Sequence, residues 1–184
     1  MKTMAETLTS FFNDKGIKFQ QLDEVTYRLG YGGKHACFDS FVAIDEDAGE
    51  ILMETFLPVR VSPEKYRITA EIVTRLNSKS RNGFLDLNIK HGYLIYKTNL
   101  LLGTSELQSE MVGHLIFSNW LSADYSFPAI NAVLFGNIPP EKAIDNLEAP
   151  NGSDKKHPKK KPSTLGTEDM SQILRGRLGG FTNN

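Results

Sequence analysis

Cysteine is almost missing: Cys37 is the sole example in 184 residues. That excludes an intrachain disulfide and any thiolate zinc cluster built within one chain. Long hydrophobic runs are missing too. Nowhere do ~18 apolar residues follow one another, so no segment has the make-up of a membrane-spanning helix. The opening Met1-Lys2-Thr3-Met4-Ala5-Glu6 lacks the apolar stretch of a secretory signal, and a cytosolic location is the expectation. Nor is there an excess of charge of one sign. Lys and Arg number 21 against 22 Asp and Glu, a formal net charge of −1. Nothing therefore draws the whole chain to nucleic acid or acidic membranes, and any such attraction must be local.

What is present suffices for one globular domain. Hydrophobic residues make up 40% of the chain, and a domain of ~150 residues can bury about 70% of its unfolded surface. Met4, Leu8, Phe11 and Phe12 recur at helical spacing, with a capping box at Thr3 and Glu6 and a closing Gly16, which predicts a helix over 4–15. The period then changes to two. Ile17 and Phe19, then Val25, Tyr27 and Leu29, alternate with polar neighbours as half-buried strands do. Gly30, Gly32 and Gly33 read as the turn before a strand over 35–44. Asp45 to Gly49 is a polar turn before a strand over 50–57. Such short turns join antiparallel neighbours.

Ser62-Pro63 predicts a serine-capped second helix with Tyr66, Ala70, Val73 and Leu76 inward and a Glu71–Arg75 pair outward. Strands over 84–89 and 93–98 flank the hairpin signal Lys90-His91-Gly92. A long helical pattern covers 106–124, with Leu107, Met111, Leu115 and Val112, Ile116, Trp120 in adjoining rows. Pro128 predicts a break or kink near Ser126, followed by a short helix over 129–135 closing at Gly136. The fold class is α+β, in the order α-β-β-β-β-α-β-β-α-α, because the helices and strands do not strictly alternate.

Composition changes after residue 147, so the expected domain is 1–147 and the expected tail 148–184. Lys155, Lys156, Lys159, Lys160 and Lys161 crowd around His157 and two prolines, a stretch too polar to offset the cost of ordering. These lysines are the candidate nucleic-acid contacts. The lack of interleaved aromatics and of any base-reading motif favours a solvated linker instead. Further on, Met170, Ile173, Leu174 and Leu178 share one face of a short helix that Thr167 would cap, with Arg175 and Arg177 as rim charges. These six are the candidate protein-binding residues. The segment docks on its own domain, on a second copy, or in a groove of another protein; the sequence leaves all three open.

Reactive side chains are scattered. His35, Cys37 and Asp39 share a strand face, yet i and i+2 residues stand about 6–7 Å apart, too far for a thiol to meet its base. Gly30-Tyr31-Gly32-Gly33 matches neither a P-loop nor a dinucleotide motif and reads as a turn. Asp45, Glu46, Asp47 and Glu50 lack the twelve-residue calcium loop and read as a hairpin tip. His91, His114 and His157 are isolated. No catalytic group, cofactor site or metal site is assigned.

Four segments carry a family resemblance: Leu76-Asn77; Gly83-Phe84-Leu85-Asp86-Leu87; Gly92-Tyr93-Leu94-Ile95-Tyr96-Lys97; and Phe127-Pro128-Ala129-Ile130 leading through Gly136 to Pro140-Glu141-Lys142-Ala143-Ile144. In this order they resemble the YbjN family, bacterial domains likened to sensory-transduction regulators, over roughly residues 5–145. The resemblance implies a curved antiparallel sheet packed with helices, similar to type III secretion chaperones, and no enzyme activity. Dimers are common among chaperones of that fold. The leading expectation is a non-enzymatic adaptor or chaperone-like regulator that binds another protein through a sheet face or a helix–sheet groove. A nucleic-acid-associated protein using the lysine tail is the alternative, and an unrecognised enzyme is third.

Overall fold

The computed structural model describes residues 2–103 and 105–148. The lysine run, the apolar stripe from Met170 to Leu178 and its two arginines lie outside the described residues. The first element is helix α1 (Met4–Asp14), whose capping box forms as the sequence predicts. Glu6 N donates to Thr3 Oγ1 at 3.1 Å and Thr3 N donates to the Glu6 carboxylate at 2.9 Å. Gly16 takes φ 64 just past the end, a conformation that glycine adopts without a Cβ penalty. A second anchor comes from the acidic hairpin tip. Glu46 accepts from Met4 N at 3.0 Å, placing a carboxylate where the helix dipole is positive.

Six strands follow: β1 (Phe19–Gln21), β2 (Thr26–Gly32), β3 (Cys37–Asp45), β4 (Glu50–Arg60), β5 (Phe84–Asn88) and β6 (Tyr93–Leu101). They form one sheet in the order β1-β2-β3-β4-β6-β5, antiparallel at every pairing. The predicted turn at Gly30–Gly33 is shorter than expected. Gly30 and Gly32 pair with Asp39 and Cys37 inside the ladder, and only Gly33 to Ala36 turn. Glycine weakens a strand but does not forbid one, and the pairing register carries both through.

Helix α2 (Tyr66–Asn77) crosses from β4 to β5. It does not begin on the predicted serine cap. A 3-10 turn at Pro63–Lys65 precedes it, and the Ser62 hydroxyl bonds the Glu64 carboxylate rather than a helix N–H. Its inner face is also rotated from the expected stripe. Thr69, Ile72, Val73 and Leu76 are buried, Ala70 is exposed and Tyr66 half-buried. Thr69 is accommodated because its hydroxyl donates to Lys65 O at 2.7 Å. The Arg75–Glu71 pair forms as expected, at 3.0 Å.

The largest departure is at Pro128. Helix α3 runs unbroken over Ser109–Gly136, and Pro128 sits inside it. Proline removes one hydrogen bond, here the one that would reach Asp124 O. Phe127, Ala129, Ile130, Val133 and Leu134 are all buried around it, and packing of that many apolar groups outweighs one lost bond. The left-handed residue that ends the helix is Asn137, at φ 52, not the expected Gly136. Helix α4 (Pro140–Glu148) follows; the helix expected over 129–135 is instead the end of α3, and the periodicity places none over 140–148.

All four helices pack on one face of the sheet. Their buried residues form two clusters, one joining α2, α3 and α4 to Phe38, Leu57, Leu85, Leu94 and Tyr96. The other joins α1 and α3 to Tyr27, Leu29, Val42, Ile44, Ile51 and Met53. The opposite face carries a third cluster of Phe41, Phe56, Tyr93 and Ile95.

Candidate functional site

Helix α3 meets the sheet through polar side chains, an unusual choice for a buried surface. Asn119 is fully buried, and its Nδ2 lies 3.1–3.3 Å from Thr98 Oγ1, Tyr96 O and Met53 O. The Trp120 indole donates to Ser40 Oγ at 2.9 Å, and Ser40 is 2.7 Å from Thr55 Oγ1. One turn further, Asp124 accepts from the backbone of the β2–β3 turn, Lys34 N at 3.0 Å and His35 N at 2.8 Å. Both carboxylate oxygens are thereby engaged. Gly33 makes the approach feasible, since a Cβ there would lie 2.3 Å from Asp124 Oδ1. Tyr31 stacks flat on Trp120, with centroids 4.7 Å apart at 4°. Burial, and secondarily the Asp124 charge, push the Tyr31 hydroxyl above its ordinary value of 10.0. The turn is thus pinned to the helix by charge-assisted hydrogen bonds on one side and ring stacking on the other.

Pinning the turn away from α4 leaves a groove of about 920 Å³. Tyr31, Lys34 and His35 form one wall, Leu121, Tyr125 and Pro128 of α3 the floor, and Ala143, Asn146 and Leu147 of α4 the other wall. A smaller cavity of about 230 Å³ opens on the far side of α3, where Leu76, Asn77, Tyr96 and Ile144 gather. Ser122, Tyr125 and Leu147 line both. Along the outer side of α3, Phe117, Leu121 and Tyr125 recur at i, i+4 and i+8 with 43%, 62% and 52% exposure. Such spacing puts them on one stripe. Chemically the groove offers aromatic and aliphatic surface with polar groups at its rim. That composition suits a protein segment or an apolar ligand better than a charged metabolite.

The side chains singled out in the sequence do not converge. His35 lines the groove on the helix side. Cys37 opens β3 exposed, on the opposite face. Asp39 accepts from Arg28 Nε at 2.9 Å and Nη2 at 2.7 Å. Among the described residues, no three His, Cys, Asp or Glu groups are placed to hold a metal ion, and no helix is long and apolar enough to cross a membrane. Sequence reasoning missed the outer row of α3, although its four-residue spacing was visible. It also missed Asn119 and Asp124, whose roles depend on partners 66 and 90 residues away.

The Leu76-Asn77 and Gly83–Leu87 segments have a structural reason. Asn77 donates to Leu85 O at 2.9 Å and accepts from Leu85 N at 2.8 Å, occupying the outward backbone groups of the edge strand β5. Gly83, at φ 82, brings the chain so close to β6 that a Cβ would lie 2.3 Å from Lys97 O.

No protein-family model matches the sequence, and no curated protein matches it. Solved structures do. YbjN from E. coli, described as a proposed transcription regulator, aligns with a TM-score of 0.52 at 16% identity, covering 70% of this chain and 90% of that one. A chain of the ExsC–ExsE complex aligns with a TM-score of 0.46 at 12% identity, covering 67% of this chain and 93% of that one. The chain is therefore built on the fold of YbjN, an antiparallel sheet backed by helices on one side.

Proposed function

We propose that the protein is a non-enzymatic adaptor or chaperone-like regulator that holds an apolar, helical segment of another protein in the groove beside α3. The observation that carries this reading is the exposed row Phe117, Leu121 and Tyr125 along the outer side of a helix whose inner side packs on the sheet. Three large apolar side chains in a line gain nothing from water. A partner helix presenting apolar residues at matching spacing would bury them. The mechanism is burial of apolar surface, with Lys34, His35 and Asn146 setting the polar rim. Against bond chemistry stand the full occupancy of Asp124 by backbone donors and of Asp39 by Arg28. A cytosolic protein with no cofactor fits the same reading, with the lysine run as a solubilising linker.

The test is a comparison of native chain and Leu121→Glu/Tyr125→Glu in capture from the source cell, with bound proteins identified by mass spectrometry. A defined protein lost with the variant, at unchanged melting temperature, supports the reading. Equal capture by both, or loss of a monomer–dimer equilibrium as the sole change, removes it; the latter result assigns the row to homodimerisation. Retention of random DNA or RNA at low salt by the native chain, abolished on removing residues 155–161, would favour a nucleic-acid role instead.

A further inference from the structure

The back of the sheet, away from the helices, carries a cluster of buried side chains. Phe41, Ala43, Glu54 and Ile95 are at 0% exposure and Phe56 at 2%. Residues on an uncovered sheet face have same-face neighbours about 5 Å away but open space above them. Among the described residues, the only partly buried hydrophobic packed against this cluster is Leu22, at one end. Phe41, Phe56, Tyr93 and Ile95 make this face apolar across β3, β4 and β6, and none of the four described helices packs on it. An apolar sheet face of this kind gains from being covered.

We propose that residues 167–178 of this same chain, carrying Met170, Ile173, Leu174 and Leu178 with Arg175 and Arg177, dock on this back face. The strand register defines the seat. Asp39, Phe56, Ile95 and Asp86 lie side by side across β3, β4, β6 and β5. The next row reads Arg28, Phe41, Glu54, Lys97 and Phe84. The first row is thus two apolar side chains between two carboxylates. Three strand intervals put those carboxylates about 14 Å apart, close to the 10–12 Å width of a helix. Phe56 and Ile95 would receive the aliphatic stripe, and the arginines would reach the carboxylates at its margins. Asp39 is held by Arg28, and Asp86 by Lys97. A carboxylate has about four acceptor positions, so a further guanidinium can share each.

The connection is long enough. Helix α4 ends at Glu148, and 18 residues separate it from Thr167. A flexible chain of that length spans roughly 23 Å, more than the radius of gyration of about 15 Å expected for the domain. The segment can therefore pass from the helix side of the sheet to its back, and the tether keeps it at high local concentration. Docked there, it shields the one broad apolar sheet surface from other chains. The inference does not rest on the groove reading, because Leu121 and Tyr125 lie on the opposite side of the sheet.

Cys37 supplies the probe, being the sole cysteine and exposed on the back face. Full-length Ser171→Cys and Gly179→Cys are treated with a short bismaleimide and resolved by mass and gel mobility. An intrachain bridge to Cys37 whose yield is independent of protein concentration is expected in at least one of them. A bridge forming only between chains, rising with concentration, overturns the proposal in favour of a second copy. Absence of any bridge overturns it outright. Adding Ile173→Asp/Leu174→Asp to the bridging variant should lower intrachain yield roughly tenfold or more and raise binding of an apolar-surface dye, since docking is held by apolar burial. Unchanged yield and unchanged dye binding would reject the seat even where a bridge forms.

Discussion

The two sides of helix α3 each break the usual rule in part: polar side chains sit within a mostly apolar inner side, and large apolar ones sit on the outer side. Its inner side spends Asn119, Trp120 and Asp124 on the sheet and the β2–β3 turn, while its outer side shows Phe117, Leu121 and Tyr125 to solvent. Asn119 Nδ2, Trp120 Nε1 and both Asp124 oxygens meet named partners, which fixes one register of helix on sheet, whereas Asn119 Oδ1 is buried without a partner. Of the outer groups, Phe117 meets Phe11 and Trp120 edge-on, while Leu121 and Tyr125 stand at 62% and 52% exposure. Removing an inner group should therefore damage the fold and spare the surface, while changing an outer group should do the reverse.

Asp124→Ala tests the inner side most severely. It strips the acceptors from Lys34 N and His35 N, and a loss of about 3 kcal/mol is expected from two charge-assisted hydrogen bonds, read by urea denaturation. Gly33→Ala attacks the same contact from the other partner. With its Cβ placed 2.3 Å from Asp124 Oδ1, it should cost about 2 kcal/mol as overpacking does. In the double variant the two losses should fall short of their sum, because both act on one contact; simple additivity would mean the pin is not the shared cause.

A smaller effect is linked to pH. Burial raises the hydroxyl pKa of Tyr27 and Tyr31 above 10.0 in the fold. Below that value both are neutral whether folded or not, and no difference arises. Above it the unfolded hydroxyls ionise first, so stability falls as pH rises towards the folded values. Melting temperatures should decline past pH ~10, and less steeply in Tyr31→Phe. On the outer side, Leu121→Glu should change stability by no more than about 0.5 kcal/mol, as exposed substitutions do. A large drop in its melting temperature would show that the row packs against something in the isolated protein.

Much of the architecture was legible because it depends on near neighbours. The Thr3–Glu6 capping box, the glycine after the first helix, the Glu71–Arg75 pair and the alternating strands all formed where local spacing put them. The misreadings occurred where a distant partner outweighed local preference. Pro128 was read as a break or kink; the helix does not break there, and five buried neighbours carry it through. Ala70 was read as buried and Thr69 was not, because helical spacing alone leaves the orientation of a stripe uncertain by one residue. Gly30 and Gly32 were read as turn residues, and strand pairing made them part of the ladder. The residues that line the groove beside α3 were not legible, because its walls come from the β2–β3 turn, α3 and α4, segments far apart in the chain.

The sequence by itself determined the class of fold, the order of its elements and the scattering of its reactive groups, since periodicity and turn chemistry act over a few residues. Only the tertiary structure decided that Asp124 serves a turn 89 and 90 residues away, that Pro128 lies within a helix, and that Phe41, Phe56, Tyr93 and Ile95 gather on the sheet face opposite the four described helices. Those outcomes are set by contacts between segments far apart in the chain, and such contacts leave no local spacing to read.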